Sequence, residues 1–311
     1  MTEMLMAREA YGDLLVELGT ENKNIFVLDA DLSSSTKTSK FAKKFPQRFI
    51  NCGIAEQNMI NVAAGLAVAG KTPFVSTFAI FGSGRAWEQI RNTLAVGKLN
   101  VKIVVTHGGI SVGPDGVSHQ SLEDIALMRT IPEMKVLVPC DAPEAVAAIR
   151  AAAEISGPVY VRLGRPKVPT IWKETRFTIG KAQLVNQGND VSIVACGIMV
   201  NEALNAAKIL SIKGISAEVI NMGTIKPLDG DILLTSLRKT GCVVTCEEHS
   251  VIGGLGSAVA EFLSQNHPVP QYFIGIKDRF GQSGDPEDLM VEYQLTAEDI
   301  AAAAEVVMKK K

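Results

Sequence analysis

The 311-residue chain carries 31 basic and 33 acidic side chains, a balance that argues against a nucleic-acid footprint, which needs a basic excess or stripe. Hydrophobic residues make up 47% of it, enough for substantial buried cores, and the length suits two domains. Five cysteines, Cys52, Cys140, Cys196, Cys242 and Cys246, are scattered in apolar runs with no C-x-x-C spacing, as buried free thiols in a reducing cytosol would be.

The N-terminal "MTEMLMAREAYGDLLVEL" has charges in its first turns and no long apolar core. Neither a signal peptide nor a membrane span is expected, and a cytoplasmic location follows from that expectation. Short β-branched runs then alternate with longer helical patterns. Strands are predicted over 24–31, 72–78, 101–109, 134–140 and 158–164. The helix-like stretches between them are "GIAEQNMINVAAGLAVAG", "GSGRAWEQIRNTLAV", "QSLEDIALMRTI" and "APEAVAAIRAAAEIS". The strand runs are near-continuous in apolar character, the mark of a parallel sheet covered on both faces. In the first of these helices Glu56 heads a stripe of Met59, Ile60, Ala63 and Ala67. An ionised side chain there is costly unless paired.

Near 166–180, "PKVPTIWKETRFTIGK" is polar, proline-bearing and without helical period, so a linker is predicted. A second series follows: strands in "DVSIVAC", "SAEVINMG" and "CVVTCEE", and helices in "MVNEALNAAKILSIKG", "GDILLTSLRKTG" and "GSAVAEFLSQ". The last stretch, "TAEDIAAAAEVVMKKK", predicts a helix capped by Thr296. The fold class is therefore α/β: two α/β domains, each with a mostly parallel sheet flanked by helices.

Open α/β sheets bind ligands outside the carboxyl ends of their strands. "DADLSSST" (29–36) follows a strand, and suits either a polar ligand or an N-cap and turn. "HGGISVGPDGVSHQ" (107–120) gathers two of the chain's four histidines, one aspartate and four glycines in one loop. Histidine supplies proton exchange near neutral pH, and glycine permits close backbone approach. "RLGRP" (162–166) puts two arginines at a strand end, which suits phosphate recognition or mere solubility. "STFAIF" (76–81) spaces Phe78 and Phe81 three apart, for core packing or ring stacking. "IGGLGSAVAE" (252–261) lacks G-x-G-x-x-G and predicts a tight helix start, with His249 structural.

In this order and spacing, "DADLSSS", "GIAEQNM", "STFAIF", "THGGISVGPDGVSHQ" and "LGRP" resemble the C-terminal half of transketolase. The resemblance runs through the whole chain. It implies a pyrimidine-binding domain at 1–168, a linker at 169–180 and a transketolase C-terminal domain at 181–311. It also implies thiamine diphosphate as cofactor, transfer of a two-carbon ketol unit from a ketose phosphate to an aldose phosphate, and a place in the pentose phosphate pathway. Carried over by position, Glu56 contacts a nitrogen of the aminopyrimidine and exchanges a proton with it. Phe81 stacks on the pyrimidine with Phe78 beside it, and Asp31 lies near the cofactor. His107 and His119 face the substrate, with His119 the better candidate for proton transfer. Asp115 selects hydroxyl stereochemistry, and Arg8, Ser35 and Arg165 grip the phosphate with His107 in reach. The apolar stripe beneath Glu56 reads as a wall against water, placed against a second subunit.

Gly84 stands where many transketolases have a tyrosine, and Asn58 replaces a common histidine. No G-D-G metal loop is present; "LDGD" (228–231) lies in the wrong half. The resemblance thus implies one subunit of a split enzyme. An N-terminal-half partner would hold the diphosphate and its Mg or Ca ion, in a two-plus-two heterotetramer, and this chain would hold no metal. The rivals are a deoxyxylulose phosphate synthase-like fragment, a 2-oxo acid dehydrogenase β subunit and a non-catalytic scaffold subunit.

Overall fold

The computed structural model describes residues 3–173 and 175–311. In the first half the strands are β1 (Met4–Leu5), β2 (Ile25–Asp29), β3 (Phe49–Asn51), β4 (Thr72–Ser76), β5 (Lys102–Val105), β6 (Lys135–Leu137), β7 (Val159–Arg162) and β8 (Val168–Pro169). Those of the second half are β9 (Gln183–Asn186), β10 (Val191–Ala195), β11 (Ala217–Asn221), β12 (Thr224–Lys226), β13 (Val243–Ser250) and β14 (Gln271–Ile276). Each predicted apolar run forms a strand at its centre, and the flanking residues become the loops that carry polar side chains. β5, β7, β10 and β11 are buried along their whole length, as strands covered on both faces must be.

One sheet has the order β12-β6-β7-β5-β4-β2-β3 and the other β14-β13-β10-β11-β9. All pairings within them are parallel except those of β12 and β9, which lie antiparallel at the edges. β12 leaves the second half of the chain to pair with β6, with Thr224 opposite Leu137. No apolar run marks β12 or β3: both are three residues long and gain their place from neighbours. One hydrophobic cluster runs across both halves, joining Leu28, Val75 and Ile103 to Val194, Ile220 and Leu255.

The segment predicted as a linker carries β8, which pairs with β1 near the N-terminus. Asp141 fixes it further: its carboxylate accepts the N–H groups of Ile171 at 2.7 Å and Trp172 at 3.0 Å while capping the helix Ala142–Glu154. Thr296 caps the last helix, Ala297–Met308, through a capping box with Asp299. Asp229 of "LDGD" is also a cap, accepting the N–H of Ile232 at the start of Gly230–Thr240. "IGGLGSAVAE" is a tight helix start: Glu247 accepts the N–H groups of Leu255 and Gly256 at 2.7 and 2.8 Å. His249 beside it is buried, and its Nε2 accepts the N–H of Ala126. The five cysteines are free, four of them buried.

The stripe below Glu56 differs from the expectation. Met59, Ile60 and Ala63 are buried against β2 and β4 in the chain's own core, and Ala67 packs partly against it. Its partner is the sheet of the same chain, because a 13-residue helix on a parallel sheet turns its apolar face inward. No helix among the described residues is long and apolar enough to cross a membrane.

Candidate active site

The carboxyl ends of β2, β4, β5 and β7 and the start of the helix Glu56–Val68 converge on one face. Glu56 is the first residue of that helix, where exposed backbone N–H groups favour a carboxylate. It is only 4% exposed. Its charge is met by Arg85, whose Nη1 lies 2.9 Å from Glu56 Oε1. Arg85 closes a π-helical turn, Phe81–Arg85, which continues from β4 through "STFAIF". Its guanidinium sits 4.1 Å from the centroid of the Phe81 ring.

The aromatic groups form a continuous wall. Phe78 and Phe81 lie nearly parallel with centroids 5.9 Å apart. Phe78 stacks on His107 at 3.8 Å, and His119 meets Phe81 edge-on at 5.4 Å. The bifunctional reading of "STFAIF" thus resolves by position: Phe78 is buried, whereas Phe81 is half-buried and turned to the site.

His107 lies just past β5 with φ 60° and is 2% exposed. Its Nδ1 shares a hydrogen bond with Thr106 Oγ1 at 2.8 Å. Burial, and then the positive charges of Arg8 and Arg165, push its pKa down to about 3. His107 is therefore neutral at physiological pH and serves as a hydrogen-bonding group. His119 is half-buried, with Ser118 Oγ 2.9 Å from its Nδ1.

Arg8 and Arg165 form the cationic side of the face. Burial, and then the charge of Arg165, lower the Arg8 pKa. Neither arginine makes an ion pair among the described residues. Arg8 Nη1 donates to the Ser35 carbonyl at 3.0 Å, and Arg165 Nη1 donates to the Val112 carbonyl at 2.7 Å. The other arginine of "RLGRP" has a different place. Arg162 is buried, pairs with Asp124 at 2.9 Å, and donates to the carbonyls of Ser121 and Glu248.

The two aspartates of "DADLSSST" divide the two readings between them. Asp29 is buried and accepts from Leu32 N at 2.6 Å, Thr36 Oγ1 at 2.7 Å and Thr38 Oγ1 at 2.9 Å, so it holds the turn. Burial raises its pKa despite those bonds. Asp31 is exposed at φ 64°, held by Asn51 Nδ2 at 2.9 Å. Asp115 is exposed in the turn Ile110–Asp115, and no hydrogen bond or ion pair joins it to the others among the described residues. The loop glycines all face protein, Gly109 most tightly: at φ 93° a Cβ there would lie within 2.2–2.5 Å of the Glu248 carboxylate. Glu248 in turn accepts the N–H of Ser111, which pins the histidine loop to the second half.

Arg85 is the residue that sequence reasoning missed. A basic residue in a helix-like run reads as a solvated face, and its pairing with Glu56 spans 29 positions.

A parallel-sheet domain presenting a buried helix-start glutamate beside an aromatic wall, joined to a second α/β domain, defines the transketolase class of fold. The profile of the transketolase pyrimidine binding domain matches residues 3–170, and that of the transketolase C-terminal domain matches 180–300. The chain is 52% identical, over 98% of its length and 96% of the other's, to a Methanocaldococcus jannaschii protein provisionally described as a transketolase C-terminal section. It is 46% identical, over 98% and 95%, to a 6-deoxy-6-sulfo-D-fructose transketolase subunit of Clostridium sp. strain MSTE9. Among solved structures, a split-gene transketolase described as an inactive beta4 tetramer superposes with TM-score 0.92 at 55% identity, covering 99% of each chain. A Pichia stipitis transketolase superposes with TM-score 0.84 at 25% identity, covering 99% of this chain and 46% of the other. The chain belongs to the transketolase family. Within it, the chain corresponds to the C-terminal section of a split transketolase.

Proposed function

We propose that this chain is a subunit of a split, thiamine-diphosphate-dependent transketolase that moves a two-carbon ketol unit from a ketose phosphate to an aldose phosphate. The observation that carries the reading is Glu56: a carboxylate only 4% exposed, at a helix start, beside a half-buried phenylalanine ring. An acceptor next to an aromatic face fits an aminopyrimidine, whose ring nitrogen needs a charged partner and whose plane needs a stacking surface. Thiamine diphosphate would be held here by Glu56, Phe81, Phe78 and Asp31. When bound, it supplies the electron sink needed to cleave a carbon–carbon bond next to a ketone.

The chain's own groups have separate tasks. Glu56 holds and exchanges a proton at the pyrimidine nitrogen. His119 moves a proton at a substrate oxygen, which its half-buried place at the wall allows. His107, neutral, donates or accepts a hydrogen bond without bringing charge to the site. Arg8 and Arg165, two cations set near each other with no ion pair among the described residues, bind the substrate phosphate together with Ser35. Asp115 orients a substrate hydroxyl. The diphosphate and its Mg or Ca ion belong to an N-terminal-half partner, in a two-plus-two heterotetramer. That the split-gene relative with the same fold is described as inactive in its beta4 form supports this requirement.

Reconstitution tests the reading. The chain mixed with an N-terminal-half subunit should convert a ketose phosphate and an aldose phosphate, and should not condense pyruvate with an aldehyde. E56Q should lower turnover by roughly 100-fold or more while leaving assembly intact. Ketol transfer by this chain alone, or full activity in the E56Q complex, would overturn it.

A further inference from the structure

Arg85 makes both contacts that the proposed aminopyrimidine would make. Its guanidinium is a planar, delocalised cation that donates to Glu56 Oε1 at 2.9 Å and lies 4.1 Å from the Phe81 ring centroid. A protonated aminopyrimidine is also planar and cationic, and it would use the same carboxylate and the same ring. The two overlap, because a guanidinium on Glu56 Oε1 and 4.1 Å from the Phe81 centroid stands where the pyrimidine plane would stack.

The arginine is built to move. Its side chain is 51% exposed, so its outer part is already in solvent. Its backbone is anchored, with the Arg85 carbonyl accepting from Gln57 Nε2 at 3.1 Å. A Cβ placed on the adjacent Gly84 would meet nothing within 4 Å. No side chain crowds the backbone beside Arg85, and its half-exposed guanidinium can exchange Glu56 for water.

We propose that Arg85 is an internal competitor for the aminopyrimidine subsite. It pairs with Glu56 and covers Phe81 until the cofactor displaces it, so it sets cofactor affinity rather than taking part in ketol transfer. Glu56 then never stands as a buried, unpaired charge, whose desolvation would be costly. Release of the pair opposes cofactor binding. The inference rests on the functional reading above and deepens it.

The test is thiamine diphosphate affinity, measured by titration calorimetry on the complex with an N-terminal-half subunit in the presence of magnesium. R85A should tighten binding by roughly three- to tenfold, the worth of a half-exposed ion pair plus one cation–π contact. R85K keeps the charge but not the plane, and should fall between R85A and the unaltered protein. Guanidinium chloride, added well below denaturing concentrations, should weaken cofactor binding to R85A more than to the unaltered complex, because the free ion refills the vacated place. Unchanged or weaker binding by R85A, with the unaltered complex binding normally, would overturn the competitor role alone. No binding by the unaltered complex would overturn the functional reading and this inference with it.

Discussion

Gly109→Ala should damage the chain far beyond the usual cost of one methyl group. Gly109 has φ 93° and ψ −176°, a region almost closed to residues with a Cβ. Forcing alanine there costs about 1–3 kcal/mol of backbone strain. The new Cβ would also lie 2.2 Å from Glu248 Cδ and 2.3 Å from its Oε1, so the buried carboxylate has to shift. That shift removes the acceptor of the Ser111 N–H and leaves a buried donor unpaired, at about 1–3 kcal/mol more. The total is about 2–6 kcal/mol, a large fraction of a domain's net stability. Gly70→Ala is the control: φ is 77° there, but a Cβ meets nothing within 4 Å, so only strain of about 1–2 kcal/mol applies. Urea unfolding of both variants, followed by fluorescence of Trp87 and Trp172, separates the two costs. If Gly109→Ala and Gly70→Ala shift the midpoint equally, the Glu248 contact is not what pins the loop.

Arg162→Met should destabilise the chain by about 3–5 kcal/mol, because it strands the fully buried Asp124 carboxylate at the junction of the two halves. Adding Asp124→Asn should recover much of that loss; a single-variant loss below about 1 kcal/mol would show that the pair is not essential to the junction. The pH dependence of stability tests His107. Its folded pKa lies near 3 and the unfolded value near 6.5, so the unfolded chain binds the extra proton between them. The stability held by neutral His107 is complete above about pH 6.5 and is lost as pH falls toward 3, at up to about 1.4 kcal/mol per unit. His107→Asn removes that slope, so the stability gap between the two proteins should change sharply below about pH 6.5; a constant gap would refute a buried neutral ring.

The β-branched runs made the α/β class and most strand positions legible, because a strand buried on both faces must be apolar throughout. β1, β3, β8, β9, β12 and β14 escaped: β1 and β8 are two residues long and pair only with each other, and the rest lie at sheet edges, where a strand need not be apolar throughout. The site segments could be picked out one by one for the same local reason: polar groups and glycines gathered just past strand ends. Their division of labour could not be read. "RLGRP" gives no hint that Arg162 is sealed in the core while Arg165 faces the site, and "DADLSSST" does not say which aspartate holds the turn. The stripe below Glu56 was visible, but not the surface it meets.

What the sequence determined by itself is the alternation of strands and helices, the cap at Thr296, and the motif order that places the chain in its family. These depend on neighbours a few residues apart, within reach of local periodicity and backbone chemistry. Only the tertiary structure decided that Arg85 reaches Glu56, that Glu248 holds the histidine loop, and that β12 crosses to the first sheet. Each of these joins groups far apart in the chain. Their free energy depends on burial and on partners that exist only once the sheets have assembled.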